Sequence, residues 1–205
     1  FEVAYFAAST AELGRELWKS DGTSNGTVLV KDILPGESGS SPEYLTVVGG
    51  SVYFTGNDGT NGIELWKSDG TSNGTVLVKD ILAGAADSSP RNLTAVGGLL
   101  FFPAGGTNGV ELWQSDGTTP GTTLVKDIWP GPNSSQPQSL AAVGTNLFFW
   151  ATDGLNGSEF WRSDGTLEGT RLVKDIYHAS KSSDPSALVV LDRRLFFSAN
   201  EGVRG

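Results

Sequence analysis

Short apolar runs alternate with clusters of Gly, Asn, Asp, Ser and Thr along the whole chain. Two such runs, Ile-Glu-Leu-Trp-Lys-Ser at 63–68 and Thr-Val-Leu-Val-Lys-Asp-Ile at 75–81, are separated by a Gly-rich segment. Runs of this length, rich in β-branched and aromatic residues and bounded by turn residues, are typical of β-strands. The pair therefore predicts a β-hairpin. No segment of useful length has the period of a helix.

The hairpin sequence occurs four times at a nearly fixed period. Its leading glutamates lie 48, 47 and 48 residues apart, at Glu16, Glu64, Glu111 and Glu159. A Gly/Ser/Pro linker, a further apolar run and an aromatic run complete each period, which therefore holds four strands. Four short antiparallel strands in about 40–50 residues are typical of a propeller blade. The sequence predicts an all-β, β-propeller-like repeat protein, with about four four-stranded blades of 47–48 residues in one array over residues 1–205.

The aromatic strand occurs once more often than the other three. Its five copies contain Tyr5-Phe6, Tyr53-Phe54, Phe101-Phe102, Phe148-Phe149 and, near the C-terminus, Phe196-Phe197. Two interpretations stay open: a four-bladed ring with one extra strand, or a piece of a longer array. An extra strand also has an unpaired edge, and a head-to-tail contact that does not close generates a filament.

The turn chemistry suggests a register for each hairpin. If Ser68 pairs with Thr75, then Trp66 faces Leu77 and Glu64 faces Lys79. Directly opposed opposite charges contribute roughly 0.2–1 kcal/mol in an antiparallel pair. We therefore predict a ladder of Glu–Lys pairs, one in each repeat: Glu16–Lys31, Glu64–Lys79, Glu111–Lys126 and Glu159–Lys174.

Composition narrows the classes of partner. The formal charge is −9 and both signs are dispersed, which argues against nucleic acid or anionic lipid as the main partner. No apolar run approaches the roughly 20 residues of a membrane-spanning helix, so we expect no membrane insertion. The chain has no Cys and no Met. It therefore has no disulfide or thiolate site, and Phe1 is expected to be a processed or truncated start, consistent with removal of a signal peptide.

The repeated motif carries a family resemblance. Glu-Leu-Trp-x-x-Asp-Gly-Thr followed by Gly-Thr occurs in all four units, with Phe160 in place of Leu in the last. In this motif the chain resembles the ELWxxDGT repeat proteins. That resemblance implies a secreted or surface protein of bacterial origin with a β-propeller fold, and it implies no particular activity. The Ser-Asp-Gly turn beside a Trp also resembles the structural Asp-box hairpins of sialidase-type propellers.

The repeated tryptophans have two interpretations. They could stack on sugar rings, or they could pack between blades, and their mid-strand position favours packing. They are Trp18, Trp66, Trp113 and Trp161.

The repeated aspartates could suggest calcium, which requires six to eight oxygen ligands. Because each loop offers one carboxylate, a turn-forming role is the preferred interpretation. They are Asp21, Asp69, Asp116 and Asp164. Four equivalent copies of each carboxylate also argue against a single glycosidase active site, which needs two carboxylates across a cleft. The single histidine, His178, lies in a linker and is interpreted as solvated. No cofactor is indicated.

Five sequons add one candidate modification, namely N-glycosylation at Asn25, Asn73, Asn92, Asn133 and Asn156. The sequence thus favours an extracellular, non-enzymatic surface or matrix scaffold, able to assemble with itself head-to-tail through strand edges. The alternative is a carbohydrate-binding propeller with repeated sites between blades and with cell-surface or matrix glycans as partners.

Overall fold

The chain is all-β in the computed structural model, which describes residues 2–178, 181–183 and 185–202. This confirms the predicted all-β class. The strands in chain order are β1 (Ala4–Thr10), β2 (Gly14–Ser20), β3 (Val28–Lys31), β4 (Glu43–Val48), β5 (Ser51–Asn57), β6 (Ile63–Ser68), β7 (Val76–Lys79), β8 (Thr94–Val96), β9 (Leu99–Gly106), β10 (Gly109–Ser115), β11 (Thr123–Lys126), β12 (Gln138–Val143), β13 (Asn146–Thr152), β14 (Ser158–Ser163), β15 (Arg171–Lys174), β16 (Ser186–Leu191) and β17 (Arg194–Ser198). Within the described ranges there is no helix that could cross a bilayer.

Consecutive strands pair antiparallel and form five sheets. The first sheet is β1-β2-β3, the second β4-β5-β6-β7, the third β8-β9-β10-β11, the fourth β12-β13-β14-β15 and the fifth β16-β17. Each four-stranded sheet takes, in order, the strand after a linker, an aromatic strand and the two strands of a hairpin. One period therefore supplies four strands, as the sequence predicted.

All five predicted aromatic strands are present, as β1, β5, β9, β13 and β17. The first was predicted at residues 1–8 and lies at Ala4–Thr10, and Phe1 is outside the described residues. Residues 179, 180 and 184 of the predicted fourth linker also lie outside the described residues.

The chain forms two compact units. The first contains the residues up to Leu93 together with Gly117–Thr119, and the second contains Thr94–Asp116 and the residues from Pro120 onward. In each unit a core lies between two successive sheets. In the first unit these buried residues are Leu17, Val30, Ile33, Val52, Phe54 and Trp66. In the second they are Val96, Phe101, Leu112, Val125, Ile128, Leu147, Phe149, Ala151 and Trp161.

Every hairpin contains a β-bulge, so the observed register differs from the predicted one. Trp66 lies opposite Leu77, as expected, but Leu65 and not Glu64 lies opposite Lys79. The bulge leaves Val78 without a partner on β6. Because the pairing shifts by one residue there, Lys79 lies opposite the residue that follows Glu64 in the chain, on the other face of the sheet. The predicted ladder is therefore wrong for all four pairs, Glu16–Lys31, Glu64–Lys79, Glu111–Lys126 and Glu159–Lys174.

Two of these lysines contact the next repeat instead. The Lys31 ammonium donates a hydrogen bond to the backbone carbonyl of Thr75, at 2.8 Å. In the second unit Lys126 makes the same bond to Thr170, also at 2.8 Å. Each bond joins one sheet to the hairpin of the following sheet, about one period further along the chain.

Candidate functional site

The leading glutamate of each repeat is fully buried and binds the linker that follows it. Glu64 accepts hydrogen bonds from the backbone N–H groups of Ile81 and Ser88, both at 3.1 Å. The Ser88 hydroxyl donates a further bond to the same carboxylate, at 2.5 Å. We call this arrangement the Glu–Ser clamp. Its glutamates are Glu16, Glu64, Glu111 and Glu159, and its serines are Ser40, Ser88, Ser135 and Ser183. In the fourth copy the Ser183 N–H donates to Glu159, while the Ser183 hydroxyl donates to the Ser158 carbonyl, at 3.2 Å.

The clamp serine also contacts the next sheet. While Ser40 donates its N–H to Glu16, its own carbonyl accepts a hydrogen bond from the Asn57 N–H at the end of β5, at 3.0 Å. Ser135 is placed in the same way between Glu111 and the Thr152 N–H, with the latter bond at 2.9 Å. The buried carboxylate thus holds a linker that joins two successive sheets.

Burial sets the electrostatics of the clamp. Loss of solvent raises the pKa of the Glu64 and Glu111 carboxyls, and it outweighs the hydrogen bonds from Ser88 and Ser135, which act in the opposite direction. A raised pKa means that the folded protein binds protons more readily at these positions than the unfolded chain does.

We expect a pH dependence of stability from this difference. A carboxyl group whose pKa is raised by folding stabilises the folded protein fully at a pH below the pKa of the unfolded chain, which is 4.5 for Glu. This stabilisation is lost as the pH rises through the pKa of the folded protein. The melting temperature should therefore fall as the pH rises above about 4.5. In the double variant Glu64→Gln, Glu111→Gln the fall should be smaller, and differential scanning calorimetry at several pH values would measure it. An identical pH profile in both proteins would contradict the assignment.

The repeated aspartate forms the hairpin turn. The Asp69 carboxylate accepts hydrogen bonds from the Thr71 N–H at 2.8 Å and from the Thr71 hydroxyl at 2.7 Å. These bonds lower the pKa of Asp69. The same carboxylate fills the space that a Cβ on Gly74 would need, which explains why a glycine follows. Asp21 and Asp164 bind Thr23 and Thr166 in the same way, and Gly121 leaves the same space for Asp116.

The acidic side chains are engaged locally in the second loop of the repeat as well. Hydrogen bonds from Asn61 and Thr60 lower the pKa of Asp58, although partial burial acts to raise it. Within the described residues, no group of three His, Asp or Glu side chains is placed to hold a metal ion.

Two of the four repeated tryptophans pack between sheets. Trp66 and Trp161 are each only 6% exposed and belong to the two cores described above, while Trp18 and Trp113 are partly buried. The indole N–H of Trp66 is buried without a hydrogen-bond partner. A sugar ring needs an open aromatic face, so the buried positions favour packing over stacking on a ligand.

The sequons differ in exposure. Four of the five asparagines, Asn25, Asn73, Asn92 and Asn133, are exposed. The fifth, Asn156, is partly buried, and its side-chain amide donates a hydrogen bond to Asp153 at 2.7 Å. His178 is exposed, and its Nδ1 atom lies 3.7 Å from the Asp175 carboxylate.

The structure also shows residues that the sequence argument missed. The clamp serine always follows its glutamate by 24 residues, and this constant spacing is a signal that the sequence contains. The sequence argument also did not predict a cleft of about 280 Å³ in the first unit. Its lining residues include Leu34, Ser40, Ser41, Glu43, Asn57 and Ile63. Hydroxyl, amide and carboxylate groups thus line the cleft together with the apolar side chains of Leu34 and Ile63.

Comparisons with known proteins bear on the fold. No protein-family model matches the chain, and no curated protein matches it. Solved structures that are similar include prolyl oligopeptidase B from Galerina marginata, with a TM-score of 0.53 and 15% identity over 84% of this chain and 25% of that one. Puromycin hydrolase has a TM-score of 0.55 and 15% identity over 86% and 28%. The acylaminoacyl peptidase of Pyrococcus horikoshii has a TM-score of 0.52 and 12% identity over 84% and 25%.

The similar regions are β-propeller domains of peptidases. The chain spans about a quarter of the length of these proteins. At such low identity the likeness supports a propeller-like arrangement of four-stranded sheets and carries no activity with it.

Proposed function

We propose that this chain is an extracellular, non-enzymatic structural or interaction protein, a surface or matrix scaffold that assembles with itself head-to-tail. The observation that carries the proposal is the use of the repeated polar residues. The clamp glutamate, the turn aspartate and its threonine all form hydrogen bonds within the chain. The most regular part of the sequence is therefore used to build the fold. It forms a structural repeat that packs against the next repeat of the same chain.

The sheet edges give such a scaffold places to associate. β7 is the outer strand of the second sheet, and its only neighbour among the described strands is β6. Val76 on this strand is 37% exposed, and Val28 at the same position of β3 is 39% exposed. An outer strand of this kind can accept a further strand from another molecule. The exposed sequons fit an extracellular location, where glycans would cover other parts of the surface.

The first test is the mass of the particle in solution. Multi-angle light scattering across a concentration series, with negative-stain microscopy, should show particles larger than the 21.5 kDa of one chain. Their mass should rise with concentration, and filaments or rings of several chains should be visible. A particle with the mass of one chain at every concentration would contradict self-assembly.

A second candidate function is carbohydrate binding, favoured by the polar cleft of the first unit. Ser41, Glu43 and Asn57 offer hydroxyl, carboxylate and amide groups at its edge, and the nearby Tyr44 ring is 44% exposed. Screening the chain on a glycan array, followed by calorimetric titration of any hit, would test this role. Saturable binding by a single-chain particle would favour the carbohydrate-binding function over the scaffold.

A further inference from the structure

The cleft of the first unit lies at one end of the second sheet. Glu43 on β4 lies opposite Thr55 on β5, and Asn57 at the end of β5 lies opposite Ile63 on β6. Because paired residues and alternate residues of a strand share one face, these four side chains lie on the same face of the sheet. A second cleft, of about 160 Å³, shares Glu43, Thr55 and Ile63 with the first and extends to Tyr44.

The linker that forms the other wall of the cleft is held by hydrogen bonds on both sides. The Asn57 N–H donates to the Ser40 carbonyl at 3.0 Å, and the Ser41 N–H donates to the Arg15 carbonyl at 2.9 Å. Ser40 also donates its own N–H to the buried Glu16 carboxylate of the clamp, at 2.8 Å. The folded chain therefore holds both walls in place, as is usual for a preformed binding site.

The Thr55 hydroxyl lacks a partner in this cleft. Thr55 is only 3% exposed and lines both clefts, yet its hydroxyl forms no hydrogen bond with any residue that the structure describes. Thr75, by contrast, is fully buried and its hydroxyl is bonded to the Ser68 hydroxyl at 2.7 Å. Buried polar groups are nearly always hydrogen-bonded, because an unpaired one costs free energy. A ligand hydroxyl in the cleft would supply the missing partner.

The same position of the repeat is occupied by a large ring in the fourth sheet. Trp150 directly follows the aromatic pair of its strand, as Thr55 does, and lies opposite Phe160 on β14. The Trp150 side chain is 1% exposed, and its ring centre lies 4.7 Å from that of Phe160 and 5.0 Å from that of Phe197. A tryptophan thus packs into the fold at this position of the fourth sheet, whereas the threonine of the second sheet leaves room for a ligand.

An aromatic ring at the rim also distinguishes the second sheet. Tyr44 lies at the bulge between Glu43 and Thr46, and its side chain is 44% exposed. It has a positive φ of 55°, as have the non-aromatic residues at the same position of the later sheets, Asn92, Ser139 and Ala187. The backbone conformation therefore belongs to the repeat, while the tyrosine belongs to the second sheet. An exposed Tyr offers an apolar ring and a polar hydroxyl to a ligand.

The polar groups of the cleft include both donors and acceptors. The Glu43 side chain is 59% exposed, and its ion pair with Arg15 spans 4.0 Å, which is too long for a hydrogen bond, so its carboxylate oxygens can accept. The Asn57 Oδ1 atom accepts the Gly59 N–H at 2.6 Å, which leaves the Nδ2 group as a donor. The Thr55 hydroxyl can both donate and accept.

A neutral sugar ring matches this set of groups. Its hydroxyls both donate and accept, so one ring can bond Asn57, Thr55 and Glu43 while its C–H groups pack against Ile63. The Glu43 carboxylate would repel an anion, and a cation would leave the Asn57 amide without an acceptor. The volume of about 280 Å³ is at the lower end for ligand pockets and suits one ring, with the adjoining cleft beside Tyr44 for a second.

We propose that this cleft is a binding site for a neutral glycan, with Thr55 and Glu43 as its main hydrogen-bonding residues and Tyr44 beside a second sugar ring. The inference rests on carbohydrate binding, the second candidate function, and it replaces repeated sites between blades by one site on the second sheet. The repeat supplies the frame of the site, and the residues that differ between repeats supply its chemistry.

Two substitutions in the full chain test the site. Thr55→Val removes a hydroxyl that has no partner in the described chain, so the melting temperature should not fall. The affinity for the sugar should fall about tenfold, which is the loss expected for one hydrogen bond. Glu43→Gln removes a charged acceptor at an exposed position and should weaken binding by a larger factor, since bonds to charged groups are stronger.

Each substitution has a matched control. Glu37→Gln changes an exposed glutamate of the same linker that is not among the residues lining either cleft, so it should leave the affinity unchanged. Thr75→Val removes a hydroxyl that is bonded to Ser68 and to the Thr71 carbonyl, so it should lower the melting temperature and leave the affinity unchanged. Thr55→Val and Thr75→Val should therefore have opposite effects on binding and on stability.

Calorimetric titration and ligand-observed NMR with methyl glycosides of glucose, galactose and mannose would measure binding, with glucuronic acid and glucosamine as charged counterparts. At least one neutral glycoside should bind once per chain and lose affinity in Thr55→Val and Glu43→Gln, but not in the controls. Preferred binding of a charged sugar would refute the proposed ligand class.

The remaining outcomes separate this site from the function on which it rests. Binding of one glycoside for each repeat, unchanged in Thr55→Val, would refute the site and leave the carbohydrate-binding function standing. The same holds if no methyl glycoside binds but a glycan array gives a hit that Thr55→Val does not weaken. If neither the glycosides nor the array show binding, the site and the carbohydrate-binding function are both refuted.

Discussion

Replacing Glu64 by alanine is expected to lower the free energy of unfolding by about 3 kcal/mol. The substitution leaves the partly buried N–H group of Ile81 without its acceptor, and also the buried N–H and hydroxyl groups of Ser88. An unsatisfied buried donor costs about 1–3 kcal/mol, and the cavity left by the side chain adds to the loss. For a chain of this size, such a change should lower the melting temperature by roughly 6–12 °C. Urea denaturation would measure it.

Two further variants separate the clamp from general effects of removing a charge. Glu43→Ala removes a carboxylate whose side chain is 59% exposed and lies 4.0 Å from Arg15, so it should change stability by no more than about 0.5 kcal/mol. Glu64→Gln keeps the volume and one acceptor oxygen but directs an amide N–H group at a donor. Its loss should fall between those of Glu43→Ala and Glu64→Ala. Equal, small losses for all three would show that the clamp contributes nothing measurable.

The strands were predictable because the repeat presents each turn several times. One Asp-Gly-Thr segment is weak evidence, but four copies at a nearly fixed period identify turns and place strands between them. The same redundancy revealed the fifth aromatic strand, which the structure contains as β17. Local chemistry sufficed here, because turn residues and apolar runs act over a few neighbouring positions.

The role of the glutamate was not predictable by the same reasoning. The pairing of Glu64 with Lys79 assumed a regular ladder, and a bulge at Val78 moved the lysine by one position. No residue type marks that bulge in the sequence. The true partner, Ser88, lies 24 residues away in a linker, and only the constant Glu–Ser spacing across the repeats indicates it.

The contacts between sheets were even less predictable from the sequence. Lys19 and Gly70 are 51 residues apart, and their hydrogen bond exists only because two sheets stack face to face. A lysine on a strand is usually interpreted as solvated, so its carbonyl partner in another repeat could not be inferred from composition.

Replacing Trp66 by alanine is expected to lower the free energy of unfolding by about 4 kcal/mol, because Phe or Trp to Ala substitutions in cores cost about 3–5 kcal/mol. Trp66 is 6% exposed and packs with Leu17, Val30 and Phe54 between the first and second sheets. Its indole N–H has no hydrogen-bond partner, so the loss should come from packing alone. Chemical denaturation followed by circular dichroism would measure it.

Trp18 supplies the matched control, since it occupies the same position of the repeat but is only partly buried. Trp18→Ala should therefore cost less than Trp66→Ala. The two interpretations of these tryptophans differ in what the pair of variants would do. If the tryptophans pack between sheets, the loss of stability follows burial. If they stack on sugars, Trp18→Ala would abolish binding on a glycan array while both variants kept nearly the stability of the unmodified chain, and that result would overturn the packing assignment.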